Sequence, residues 1–175
     1  MPVPSAAFLL PLALAPVLAP TTVVDAHFDR ADGFVPARAI THAPDLVPYG
    51  APVRVTVTRA PGGTTVALEV SGLAPDHEFP AHVHTGHCGA DPAASGPHYQ
   101  HTADPVQPST DPAYANAGNE LRLTLRTDAE GAGRAESTVG WRFRPDGAHS
   151  LVLHAGSPAG PHRAGDRAAC VDVDF

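Results

Sequence analysis

The chain has 175 residues with 11 basic and 18 acidic side chains, a formal net charge of -7. That length fits one domain able to bury a sizeable core. The acidic balance excludes a nucleic-acid partner, which needs a basic face, and it repels anions at long range, so any anion chemistry requires a local positive site. All the basic residues are Arg, and Pro (20) and Gly (16) are spread along the chain as punctuation between short elements. Histidine is the unusual count, at 11. It is the commonest metal ligand, so the question is which histidines share a site.

The apolar run Ala6 to Ala19, broken by Pro11 and Pro16, is too short for a membrane span and fits the apolar region of a secretory leader. The expected organisation is therefore a leader over 1–26, with cleavage after Ala19 or Ala26, a flexible lead-in over 27–37, and a single domain over 38–175. The mature form is expected outside the cytoplasm with no membrane span; oligomeric state is left open.

From Arg38 onward, strand patterns recur and no capped helical pattern does. Arg38–Thr41 is a short first strand. Pro52–Thr58 alternates strictly, Pro61-Gly62-Gly63 is a turn, and Thr64–Val70 is the return strand of a hairpin. Glu78–His84 is a strand entered through Pro80. Thr85–Asn119 is long and rich in Pro, Ala, Asp and Ser. Leu121–Arg126, a turn over Asp128–Gly133, Glu136–Phe143, Ser150–His154 and Cys170–Phe175 complete the set, with a Gly/Pro-rich loop over Ala155–Asp166. The expected fold is all-β: a sandwich or barrel of about eight antiparallel strands with two long loops. Each long loop starts directly after a histidine, which points to function.

His82-Val83-His84 lies on a strand, where residues two apart share a face, so its imidazoles project together about 7 Å apart. His98 follows the turn Gly96-Pro97, and His154 ends the apolar strand Leu151-Val152-Leu153. Four histidines from three elements, with no thiolate, suit copper, nickel or zinc rather than calcium or magnesium; a tetragonal nitrogen set suits Cu(II). His87 extends the first pair to His82-x-His84-x-x-His87. That resembles part of the metallo-β-lactamase signature, but Gly86 stands at its acidic position. Two cysteines, Cys88 and Cys170, read in an exported chain as one disulfide, with two separate buried thiols as the alternative.

His82-Val83-His84, Gly96-Pro97-His98, Leu153-His154 and Gly165-Asp166-Arg167-Ala168-Ala169-Cys170 occur in this order. Over residues 50–175 the sequence resembles the Cu/Zn superoxide dismutases. The resemblance implies a Greek-key arrangement and His82, His84, His98 and His154 as copper ligands. It implies His98 as the histidine that bridges copper to zinc and accepts a proton, and Cys88–Cys170 as the disulfide. Arg167 matches the arginine at the mouth of the copper channel, where a fixed guanidinium receives the anionic substrate, superoxide. The implied reaction is its dismutation to oxygen and hydrogen peroxide; an extracellular copper-buffering protein without turnover is the alternative. The zinc half departs from the family pattern. Only His98, His101 and Glu120 are at hand, and three ligands at that spacing make a poor closed zinc site, so copper alone is expected.

Overall fold

The computed structural model describes residues 19–156 and 166–175. Most of the expected leader, residues 1–18, and most of the second long loop, 157–165 with His162, lie outside the described residues. The strands are β1 (Thr21–His27), β2 (Asp29–Arg30), β3 (Ala39–Thr41), β4 (Pro52–Ala60), β5 (Gly63–Val70), β6 (Glu78–His84), β7 (Arg122–Arg126), β8 (Gly133–Val139), β9 (Ser150–His154) and β10 (Arg167–Asp172). Among the described residues no helix is long and apolar enough to cross a membrane.

The strands form a four-stranded sheet in the order β1-β4-β5-β8 and a six-stranded sheet in the order β2-β3-β10-β9-β6-β7. The neighbours β5–β8 and β6–β9 are not consecutive in sequence, so the chain crosses between the layers, as the expected Greek-key sandwich requires. The alternation that marked the hairpin is why its register is fixed. Val53, Val55 and Val57 point inward opposite Val70, Leu68 and Val66, and all six are buried. A slip of one residue would turn every one of them to solvent. From the other sheet Phe79, Ala81 and Val83 of β6 and Leu151 and Leu153 of β9 fill the same core.

The structure corrects several boundaries. Among the described residues there are ten strands, where about eight were expected, and β2 pairs with β3 in parallel. β1, inside the stretch read as leader, runs along β4 with Val24 buried, and Phe28, inside the stretch read as lead-in, is also buried. The folded unit thus starts ahead of residue 38. β8 spans 133–139 rather than 136–143: beyond Val139, Trp141 and Phe143 leave the sheet for an aromatic cluster with Tyr99 and Phe175. β10 starts at Arg167, three residues early, because a register shift after Arg167 keeps the strand paired with β9. The expected turn before β8 holds, and Gly131 is required in it. Its φ is +76°, and a Cβ there would stand 2.1 Å from the Leu73 carbonyl oxygen.

Candidate metal centre

Period two places the site. With Phe79, Ala81 and Val83 committed to the core, His82 and His84 face the opposite side of the six-stranded sheet. Neighbouring β9 obeys the same rule: Leu151 and Leu153 go inward, and His154 emerges on the outer side. The long loop between β6 and β7 covers that face and delivers His98, which forms an isolated bridge with His84. A 3-10 turn, Pro92–Ser95, shapes this loop; Asp91 caps it by accepting the Ala93 N–H, and Gly96 ends it at φ +69°.

The four predicted histidines meet. Ring centroids of His82 and His98 lie 4.2 Å apart, His84 and His98 4.8 Å, His82 and His154 5.1 Å, and His98 and His154 5.7 Å. One donor atom from each of His82, His98 and His154 falls within 4.8 Å of the others. His84 joins through its Nε2, 3.4 Å from the His154 Nε2.

Hydrogen bonds set which ring nitrogens face the cluster. His84 Nδ1 lies 2.9 Å from the Gly96 carbonyl oxygen. A carbonyl only accepts, so Nδ1 carries the proton and Nε2 presents its lone pair to His154. Burial, followed by the neighbouring His98, pushes the His84 imidazole well below its ordinary pKa, which keeps it neutral as a ligand must be. His98 Nδ1 lies 3.3 Å from Glu120 Oε2, so that nitrogen too is the donor, and Nε2 is left for the cluster. Orientation of a ligating imidazole by a carbonyl or carboxylate is the usual support of a metal site. The donor set therefore fits a transition metal.

Glu120 is buried and heavily engaged. Oε2 accepts Arg122 Nε at 3.0 Å and Nη2 at 2.6 Å, and Oε1 accepts Gln100 Nε2 at 2.9 Å. Burial alone would raise its pKa, but hydrogen bonds from His98, Gln100 and Arg122 outweigh it and hold the carboxyl below its usual value. Gln100 is itself buried, and its oxygen accepts the Asp104 N–H. His101, the other candidate zinc ligand, stands elsewhere: its ring stacks on Trp141 at 4.9 Å. Among the described residues, His98, His101 and Glu120 are not assembled into a metal-binding group.

Arg167 is cross-strand partner to His154, and the adjoining bulge re-aims its side chain across the mouth of the site. Nη1 donates to the Pro92 carbonyl at 2.6 Å and to Ser95 Oγ at 2.9 Å, and Nη2 donates to the Gly96 carbonyl at 2.7 Å. The Gly96 oxygen thus serves His84 and Arg167 together, and it fixes their mutual position. Sequence reasoning missed Gln100, Arg122 and the role of the Gly96 carbonyl; only the opposite charges of Glu120 and Arg122, two residues apart, offered a signal. A cleft of about 80 Å³ opens here, lined by His98, His154, Arg167, Glu120 and Gln107. Cys88 and Cys170 are joined, closing a separation of 82 residues. The bond pins the long loop to β10 three residues beyond Arg167.

His87 does not join the cluster. It lies on the surface, stacked on His149, and the metallo-β-lactamase pattern has no counterpart in this all-β fold.

No family model matches the sequence, and no curated protein matches it significantly. Solved structures do. The Cu/Zn superoxide dismutase from Brucella abortus superposes with a TM-score of 0.53 at 20% identity, covering 88% of this chain and 99% of that one. A double mutant of a SOD-like protein from Bacillus subtilis superposes with a TM-score of 0.50 at 14% identity, covering 68% and 86%. Together with the two-layer topology, these likenesses establish that the chain has the Cu/Zn superoxide dismutase fold.

Proposed function

We propose that this chain is a copper-dependent enzyme that converts superoxide to oxygen and hydrogen peroxide outside the cytoplasm. The observation that carries the reading is the convergence of His82, His84, His98 and His154 beside a tethered guanidinium. Held by these four imidazoles, copper supplies one-electron exchange between its two oxidation states.

The remaining functions belong to the chain's own groups. Arg167 provides the local positive charge that a protein of net charge -7 needs to receive an anion. Glu120 does not cancel that charge, because Arg122 neutralises it. The His98 side chain is 22% exposed, whereas the other three histidines are at most 4% exposed. His98 is thus the ligand that solvent reaches; its Nδ1 faces Glu120, and its Nε2 accepts a proton only when that nitrogen is not holding copper.

We read the site as copper alone because His101 stacks on Trp141 and the Glu120 carboxylate is already held by Gln100 and Arg122. A disulfide that bridges the loop to β10 supports an oxidising compartment. A leader removed after Ala19 leaves β1 intact, whereas cleavage after Ala26 would remove most of it.

The test is a dismutation assay of the copper-loaded chain beside Arg167→Ala. Turnover that falls in the variant while copper is retained is expected. Copper bound by the wild type without turnover would make the chain a copper-binding or buffering protein.

A further inference from the structure

We propose a second, exposed transition-metal site at His87 and His149, oriented by Asp172, on the rim beside the disulfide. It is separate from the buried cluster and does not depend on the dismutase reading. His87 follows β6, His149 precedes β9 and Asp172 ends β10, so three segments bring these groups together.

The two imidazoles stack with centroids 4.3 Å apart and planes 29° from parallel. His87 Nδ1 lies 3.3 Å from Asp172 Oδ1, and that oxygen also accepts the Cys88 N–H at 2.9 Å. The carboxylate is thereby fixed. With Nδ1 donating to it, the Nε2 of His87 carries the lone pair, the same carboxylate–imidazole arrangement that supports metal ligands generally. The backbone of His149 is anchored at both ends, donating to the His84 carbonyl and accepting from the Val173 N–H.

A metal about 2.0–2.1 Å from each of two nitrogens holds them roughly 3–4 Å apart. Imidazole lone pairs lie in the ring plane, so the two stacked rings must turn for their nitrogens to converge on one ion, and the 68% exposure of the His87 side chain leaves room for that turn. The hollow they line, about 300 Å³, also carries Asp174 and Arg38, so two carboxylates face one guanidinium and the balance favours a cation. Imidazole donors with water filling the open positions select Cu²⁺ or Zn²⁺ over Ca²⁺ or Mg²⁺.

The test uses the untagged full chain dialysed against excess Cu²⁺, with copper per chain counted by elemental analysis and sites separated by electron paramagnetic resonance. The wild type is expected to hold one more copper than His87→Ala/His149→Ala, with a second spectral species that the variant lacks. Asp172→Asn is expected to weaken that species by about 10–100-fold. The comparison is a difference of one ion, so it stands even if the buried cluster takes no copper. Equal copper counts and identical spectra for wild type and double variant would overturn the site.

Discussion

Replacing Glu120 with Gln keeps shape and removes charge, and the structure sets the size of the consequence. The carboxylate accepts on both oxygens: Gln100 on Oε1, and Arg122 and His98 on Oε2. An amide has one accepting oxygen. If that oxygen stays toward Arg122 and His98, its NH₂ meets the Gln100 NH₂. Gln100 cannot turn over to relieve this, because its oxygen is held by the Asp104 N–H. Arg122, 38% exposed at its side chain, recovers most of its loss in water. Gln100 is 3% exposed and does not. The cost is thus about 2–3 kcal/mol, one buried donor left unsatisfied plus one weakened charge-assisted bond. For a domain of this size that lowers Tm by roughly 4–12 °C. Loss of the carboxylate behind His98 should weaken copper binding by about 10–100-fold. Thermal melting of the metal-free variant and copper competition with a chelator measure the two effects. A Glu120→Gln protein that melts within a degree of wild type and holds copper equally well would refute the reasoning.

Arg167→Ala should lower dismutation by at least about tenfold with copper retained, and Arg167→Lys should restore only part of it, because an ammonium keeps the charge but not the fork that grips the 92–96 turn; paired kinetics and metal analysis check this. Cys88→Ser opens a loop spanning 82 residues, and the chain-entropy relation gives a loss of about 4.5 kcal/mol; calorimetry should show a Tm lower by roughly 9–18 °C. Leu68→Ala empties a fully buried position in β5 and should cost about 2–5 kcal/mol in urea unfolding, with the copper affinity of the folded protein unchanged. Gly131→Ala should destabilise the β7–β8 turn in the same assay, because its new Cβ collides with the Leu73 carbonyl.

The parts of the fold that were legible are those where side chains alternate cleanly. Val53, Val55 and Val57 declared β4, and Leu151 and Leu153 declared β9. The same alternation put two of the candidate ligands together, since His82 and His84 must share the face opposite Phe79 and Val83. β1 was hidden because Thr21–His27 adjoins an apolar run and reads as its continuation. β8 was displaced because its polar outward face, Arg134, Glu136 and Thr138, carries little signal beside the bulky Trp141 and Phe143. β10 was shortened because a bulge breaks the period on which the reading rests. Within the site, Gly96 acts through its carbonyl, which no side-chain pattern reports. Gln100 matters only because the loop folds back to place it between Glu120 and Asp104. Glu120 was legible only as a doubtful zinc ligand beside His101; that it lies buried against the His98 Nδ1 and is held by Gln100 and Arg122 depends on the fold of the loop, which spacing does not report.

The most direct test of the account is copper content, zinc content and superoxide dismutation measured on one sample of the full chain supplied with both metals. A copper ion at the four-histidine centre, zinc absent from the His98–Glu120 side, and dismutation that disappears with His154→Ala are the predicted results. Equimolar zinc bound through His98, or copper held at the centre with no dismutation, would contradict it.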